Sequence, residues 1–269
     1  MPFSYSQLSA FRSCPRKFEY EFIKKLKAPL TPEGCFGVSM HSCLSKWGKI
    51  EQAVSEERLA INSQTTLFEE SGVQSAHCVL LSAHRLHELW RESFVIAGYD
   101  STVAVDFDRA RGERLLVKFF EWWKREGRKV VAVEKGFKMA IDHDDNNVIT
   151  GRFDRIEELP DSTLRIIDFK TGSMRSQSEV DQDLQLSVYA IAAEQAFGKK
   201  VSELTMLFLV EEGLVEVTTT RGEGELHTAA KSISLLTERI SSKDYAPTPS
   251  REKCRICPFR RICDASAAR

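Results

Sequence analysis

The first half of the chain carries apolar residues at helical spacing. Residues 5–27 share one apolar stripe, which predicts a single helix that Ser6 caps and that Pro29 and Pro32 end. From residue 37 to about residue 125 the pattern stays helical and contains few strand-like runs. We interpret residues 37–125 as a helical insertion between the N-terminal helix and the rest of the domain.

The second half alternates between strand-like and helical patterns. Runs of β-branched and aromatic residues predict five strands, at residues 129–141, 148–158, 164–170, 204–210 and 214–220, with a turn at 144–147. Helical spacing predicts helices at residues 180–197 and 224–240, followed by an extended lead into a tail at 245–269. Hairpins joined by a crossover helix predict an α/β core over residues 129–222, with a mixed central sheet and helices on both faces.

Composition restricts the class of protein. With 269 residues, 42% hydrophobic and 29% charged, the chain is typical of one large soluble domain. No apolar run approaches the roughly 18 residues of a membrane span, and the first residues lack the pattern of a signal peptide. We therefore expect a cytoplasmic protein. Seven cysteines, an odd number, favour metal ligation or buried thiols over a disulfide framework.

Local charge is more informative than the net charge of −1. Two segments, 12–27 and 251–261, are strongly basic, and their folding together would create a patch that attracts nucleic acid. A solvated charged face is the alternative for either segment. The candidate DNA-binding residues are Arg12, Arg16, Lys17, Arg255, Arg260 and Arg261.

The candidate chemistry lies in the hairpin of strands 148–158 and 164–170. Side chains alternate along a strand, so Asp168 and Lys170 project from one face, and Asp154 lies on the neighbouring strand. Two carboxylates beside an ammonium can bind a divalent cation and activate a water. A structural ion pair between Asp168 and Lys170 is the alternative.

This hairpin resembles the active-site hairpin of the PD-(D/E)XK nuclease superfamily, and within it the RecB-like exonuclease branch. The two stretches are Gly-Arg-Phe-Asp-Arg at 151–155 and Asp-Phe-Lys-Thr-Gly at 168–172, where Phe169 replaces the family's Tyr. Further motifs follow in the expected order. They are Cys14 with Pro15 near the N-terminus, Gly37 with His41, Glu134 on the first core strand, Gln185 with Tyr189, and a C-terminal trio of cysteines.

The resemblance implies a restriction-endonuclease-like fold and a catalytic role for these side chains. Asp154, Asp168, His41 and the backbone carbonyl of Phe169 would bind Mg²⁺ or Mn²⁺. Glu134 would add a further carboxylate, and Lys170 would orient the water or stabilise developing charge. Gln185 and Tyr189, four residues apart on one helix face, would contact substrate or steady Lys170.

The cysteines suggest a second metal centre. Cys254, Cys257 and Cys263 lie in one short segment, and the resemblance supplies Cys14 as the fourth ligand of a [4Fe–4S] cluster. Spacing alone leaves tetrahedral zinc open. Either group would staple the C-terminal tail to the N-terminal helix.

The function implied by the resemblance is metal-dependent cleavage of DNA. We expect an exonuclease that acts on single-stranded DNA or DNA ends, in repair, recombination or CRISPR-type defence. The sequence has no Walker motif, so a helicase or another DNA-processing protein is a candidate partner. The alternatives are a non-catalytic DNA-binding subunit of a helicase–nuclease complex and a zinc-stapled regulatory module.

Overall fold

A computed structural model describes residues 2–64, 80–126, 129–141 and 144–268. For residues 58–64, 126 and 144–147 it describes the backbone alone. Residues 65–79, part of the predicted helical insertion, lie outside the described residues. The division into an insertion at 37–125, a core at 129–222 and a tail at 245–269 stays a prediction.

The N-terminal segment is broken where the sequence predicts one helix. A short strand β1 (Phe3–Ser4) leads into α1 (Tyr5–Ser13), α2 (Pro15–Phe18) and a π-helical turn (Glu19–Ile23). Cys14 is extended (φ −163°, ψ 120°) because the ring of the following proline disfavours a helical conformation at the preceding residue. The predicted cap is also wrong, since the side chain of Ser4, not Ser6, accepts the hydrogen bond from the Gln7 N–H.

Three long helices follow: α3 (Pro32–Gln64), α4 (Ala83–Ser93) and α5 (Thr102–Glu126). The prediction that Pro32 ends a helix is wrong, because Pro32 begins α3. A proline is well tolerated in the first helical turn, where its missing N–H would have had no partner.

The central sheet is mixed. Its further strands are β2 (Lys129–Ile141), β3 (Asp144–Glu158), β4 (Leu164–Lys170), β5 (Val201–Val210) and β6 (Gly213–Thr219). The order is β1-β3-β4-β5-β6, with β2 paired to β3 off this path. β2, β3 and β4 pair antiparallel, β4 and β5 pair parallel, and β5 and β6 form a hairpin.

The predicted bounds of β2 and β4 agree with the structure, those of β6 differ by one residue at each end, and the starts of β3 and β5 differ by more. The turn predicted at 144–147 is wrong, because these residues already belong to β3. β5 begins at Val201, three residues earlier than predicted, because parallel pairing with β4 starts there, at Leu164.

Shorter helices complete the chain: α6 (Gln177–Asp181), α7 (Leu184–Phe197), α8 (Glu223–Ser241) and α9 (Arg251–Ile256). The single helix predicted at 180–197 is in fact α6 and α7. Asp183 separates them, because its side chain accepts hydrogen bonds from the N–H groups of Gln185 and Leu186 and so caps α7.

Helices cover both faces of the sheet, so the predicted fold class is confirmed. One apolar core contains Ile166 and side chains of α1, α7 and α8, whereas the other contains Ile167 and side chains of α3, α4 and α5. β4 is therefore buried on both faces. Its alternating side chains allow α7 to meet Asp168 and Lys170 on one face, while α3 approaches from the other side.

Candidate metal-dependent active site

Three predicted site residues meet at one point of the sheet. His41 on α3, Glu134 on β2 and Asp154 on β3 each offer a ligand atom, and these atoms lie within 4.8 Å of one another. His41 Nδ1 is 3.4 Å from Asp154 Oδ2. Burial favours the neutral imidazole, but the hydrogen bond to Asp154 and the charges of Asp154 and Asp168 together outweigh burial and raise the pKa of His41. One imidazole and two carboxylates fit Mg²⁺ or Mn²⁺.

The strands place the two carboxylates. The flanking pairs Val133–Arg155 and Lys135–Phe153 put Glu134 opposite Asp154. Glu134 has a φ of 49°, a left-handed conformation that is uncommon for a residue other than glycine and often occurs at functional sites.

Asp154 lies where two strands separate. The β3–β4 ladder ends at the pair of Arg155 and Ile167, and Asp154 Oδ2 then accepts a hydrogen bond of 2.9 Å from the Phe169 N–H. Where β3 and β4 separate, the side chain of Asp154 thus accepts the hydrogen bond that a backbone carbonyl of β3 would otherwise accept from Phe169. The predicted role of the Phe169 carbonyl as a metal ligand stays a prediction.

Two glycines bring α3 close enough for His41 to reach the strands. A Cβ at Gly37 would lie 3.1 Å from Thr171 Oγ1, just beyond the end of β4. A Cβ at Gly48 would lie 2.9 Å from the Val133 side chain, next to Glu134. The spacing of Gly37 and His41 therefore has a physical basis, because the glycine permits close approach one helical turn before the imidazole.

Asp168 and Lys170 form the second half of the site. Lys170 Nζ lies 2.5 Å from Asp168 Oδ2. Burial raises the pKa of Asp168 to about 6, although the Lys170 ammonium opposes this shift. The three-ligand set found in the described part of the chain does not include Asp168, whose carboxylate contacts Lys170 instead.

A hydrogen-bonded chain leads from Lys170 into α7. Lys170 Nζ donates to Gln185 Oε1 at 3.3 Å, and Gln185 Nε2 donates to Tyr189 Oη at 2.8 Å. Burial, followed by the nearby carboxylates, raises the pKa of Tyr189 well above its usual value, so the phenol is neutral. This geometry matches the role of steadying Lys170.

Gly151 contributes indirectly to this chain. The aromatic ring of Phe137 occupies the space that a Cβ at Gly151 would need, and it packs against Phe153 and Tyr189 with ring centroids 4.6 and 6.0 Å away. The glycine that opens the Gly-Arg-Phe-Asp-Arg stretch thus allows an aromatic cluster to fix Tyr189.

The sequence reasoning missed several residues that surround the site. Tyr5 is mostly buried, and burial, together with the charge of Asp183, raises its pKa to about 12. Arg155 and Glu51 form a buried ion pair between β3 and α3. The sequence indicated Arg155 by its position directly after Asp154 in the motif. No sequence pattern indicated Glu51, because its partner Arg155 is 104 residues away.

The four predicted cluster ligands line one cavity. Cys14, at the start of α2, faces Cys254, Cys257 and Cys263 across this cavity. Burial opposes ionisation of Cys14, but backbone N–H groups of Thr248, Lys17 and Arg16 outweigh it and lower its pKa.

The basic residues divide into two groups. Arg16, Lys17 and Arg260 line the cysteine cavity, and Arg255 and Arg261 are exposed beside it. Arg16 also pairs with Glu19 at 3.1 Å and Asp264 at 3.7 Å, which neutralises part of its charge. Arg12 instead lines a separate groove between α1 and α8, together with Arg239.

The mixed sheet and one covering helix thus bring together carboxylates, an imidazole and a lysine, a set of groups that can hold a divalent cation. The chain belongs to the PD-(D/E)XK nuclease superfamily, whose family model matches residues 2–264. The comparison thus supports a nuclease.

Comparisons with individual proteins add little. No curated protein matches the chain. The crystal structure of SSO0001 is similar, with 17% identity and a TM-score of 0.37, over 50% of this chain and 60% of that one. A "Putative exonuclease" from Eubacterium rectale is similar with 11% identity and a TM-score of 0.39, over 76% of this chain and 78% of that one. Among the described residues, no helix is both long and apolar enough to cross a membrane.

Proposed function

We propose that the protein is a Mg²⁺- or Mn²⁺-dependent DNA exonuclease that cleaves single-stranded DNA or DNA ends. The observation that carries this proposal is the proximity of two units: the His41–Glu134–Asp154 ligand set and the Asp168–Lys170 pair. Asp154 connects them, since it contacts His41 on one side and the backbone of Phe169, between Asp168 and Lys170, on the other.

Each side chain has a separate task in this proposal. A divalent cation held by His41, Glu134 and Asp154 would supply an activated water and neutralise charge on the phosphate. Lys170 places its ammonium where negative charge develops during phosphodiester cleavage. Gln185 fixes the position of that ammonium, and Tyr189 orients Gln185.

The decisive experiment compares two Asp→Asn variants on end-labelled single- and double-stranded DNA, with Mg²⁺, with Mn²⁺ and with a chelator. Asp154→Asn should lower the rate by about 100-fold or more, because a lost metal interaction costs at least a few kcal/mol of barrier. Asp161→Asn is the matched control, since Asp161 lies in the exposed β3–β4 turn, where its carboxylate accepts hydrogen bonds from Thr163. Near-wild-type cleavage by Asp154→Asn would contradict the assignment.

Exonuclease activity is tested separately with closed circular single-stranded DNA. An exonuclease requires an end, so the linear strand should be degraded and the circle should persist. Cleavage of both at equal rates would replace the exonuclease proposal with an endonuclease, and cleavage of RNA alone would overturn the choice of DNA.

We also propose that Cys14, Cys254, Cys257 and Cys263 hold a [4Fe–4S] cluster. Their shared cavity supports a common ligand. The spacing of these cysteines along the chain also suits tetrahedral zinc, and the resemblance to the iron–sulfur members of the family favours the cluster.

The exposed cations around this cavity supply the proposed DNA path. Arg255, Arg260 and Arg261 belong to the C-terminal segment, and Lys17 faces them from α2. Phosphate contacts there would make binding dependent on salt. A helicase partner, a role in repair, recombination or CRISPR-type defence, and a cytoplasmic location remain predictions.

A further inference from the structure

A band of buried charge crosses the face of the sheet beneath α3. Arg155 on β3 donates from Nη1 and Nη2 to the two oxygens of Glu51 at 2.5 and 2.9 Å, and from Nε to Glu157 at 2.7 Å. The band continues through Arg165 on β4 to Glu216 on β6. The side chains of Arg155 and Glu51 are 5% and 9% exposed.

Stability alone does not explain such a band. Removing charges from water costs several kcal/mol per ion, and apolar side chains of similar volume often give equal or greater stability. The best-attested use of a buried ion pair is to fix the register of two packed elements. A two-pronged Arg–carboxylate pair does this well, because its planar fork accepts few orientations.

The metal site depends on the register between α3 and the sheet. Glu134 and Asp154 lie on adjacent strands that the β2–β3 ladder already holds in place. His41 alone comes from another layer. Glu51 lies ten residues after His41, about 15 Å along the helix axis, so α3 contacts β3 at two separated points.

The remaining contacts of α3 leave this register open. Gly37 and Gly48 let the helix lie close to the strands, but a glycine has no side chain with which to set the rotation of the helix. The apolar contacts of Met40, Leu44 and Trp47 in the second core are not directional. Besides the contact between His41 and Asp154 itself, the Glu51–Arg155 fork supplies a directional contact between α3 and the sheet.

We infer that Glu51 and Arg155 are positioning residues for the metal site, which hold α3 in the register that brings His41 to Glu134 and Asp154. This inference rests on the proposed function, because it assumes that the three residues bind a cation. It predicts a specific route of action: loss of the fork weakens cation binding through His41 and through no other ligand.

The test is a double-mutant cycle measured by Mn²⁺ binding to the metal-free protein, using titration calorimetry. Glu51→Gln keeps the shape of the side chain and removes its charge. Mn²⁺ affinity should fall about tenfold, within the range for residues that orient a metal ligand. In the His41→Ala background the same change should alter affinity less than twofold, because the route through His41 is already lost.

Glu216→Gln is the matched control. It removes a carboxylate from the exposed end of the same band, and Glu216 lies on β6, where it pairs with Arg165 and Trp122, away from α3. Mn²⁺ affinity should stay within twofold of wild type, even if the unfolding temperature falls. If Glu51→Gln does not fold, Arg155→Lys is the variant to test in its place. A lysine keeps the positive charge but cannot donate the paired hydrogen bonds of a guanidinium to both oxygens of Glu51.

Two results would overturn the inference. One is an unchanged Mn²⁺ affinity in Glu51→Gln with a lowered unfolding temperature, which would make the pair purely structural. The other is an equal loss of affinity in the presence and absence of His41. Because the readout is cation binding, a protein that binds Mn²⁺ as described but cleaves no DNA would refute the proposed function and leave this inference standing.

Discussion

Replacement of Lys170 by methionine tests the proposed chemistry most directly. Lys170 Nζ contacts Asp168 Oδ2 at 2.5 Å in a buried site, and burial holds the pKa of Asp168 at about 6 even with this cation present. A hydrogen bond between charged groups contributes about 1.5–3 kcal/mol. Its loss should therefore raise the pKa of Asp168 further.

The rate should fall for two reasons. Loss of a group that stabilises developing charge costs about 2.7–4 kcal/mol, or roughly 10²–10³ in rate. In addition, a larger fraction of Asp168 is protonated at neutral pH in the metal-free variant than in the wild type. Single-turnover cleavage of saturating DNA with Mg²⁺ measures the first effect, and a carbon-13 NMR titration of the metal-free protein measures the second.

The control is Lys138→Met, which removes an exposed lysine from β2 of the same sheet. This variant should cleave at the wild-type rate. A Lys170→Met protein that cleaves within threefold of wild type, or whose Asp168 titrates at an unchanged pH, would refute the reasoning.

Three further predictions follow from other parts of the structure. Asp168→Asn should abolish cleavage yet raise the unfolding temperature of the metal-free protein at pH 7. The pKa of Asp168 in the folded chain, about 6, lies above its ordinary value of 3.8, so the wild type loses stability as the pH rises between these values and the buried carboxyl ionises. Cys257→Ala should lose bound iron and lower the unfolding temperature, because it releases the tail from the Cys14 segment; iron analysis and thermal melts measure both. Joint replacement of Arg255 and Arg260 by Ala should weaken DNA binding and flatten its salt dependence by about 0.7 per lost phosphate contact on single strands, as measured by fluorescence anisotropy.

Each of the three has a control and a contrary outcome. The stability gain of Asp168→Asn should nearly vanish below about pH 3, where Asp168 of the wild type is protonated in both the folded and the unfolded chain; a gain that persists there would point to packing. Cys43→Ala, which removes a buried thiol of α3 outside the cysteine cavity, should keep its iron. Joint replacement of the exposed Lys231 and Lys243 by Ala should leave the salt slope unchanged, and an equal change in both double variants would place the DNA path elsewhere.

Local patterns in the sequence determined most of the sheet and the residue types of the site. β2 and β4 begin and end where the runs of β-branched and aromatic residues do, because burial on the pleated sheet requires such side chains. The spacing of Asp168 and Lys170 placed them on one strand face for the same geometric reason. Helix ends were less well predicted, since Pro15, Pro32 and Asp183 act through capping and backbone geometry that the apolar stripe does not reveal.

Tertiary structure alone decided which of these side chains meet. The candidate ligand set joins His41, Glu134 and Asp154 from three elements, and Asp168 contacts Lys170. The role of Asp168 as a metal ligand stays a prediction. Glu51 could not be found from the sequence, because its meaning depends on Arg155, a residue more than a hundred positions away. Periodicity specifies which face of an element is buried. Glycines then permit close approach of two elements, and directional charge pairs, which exist only once the helix lies on the sheet, set the register between them.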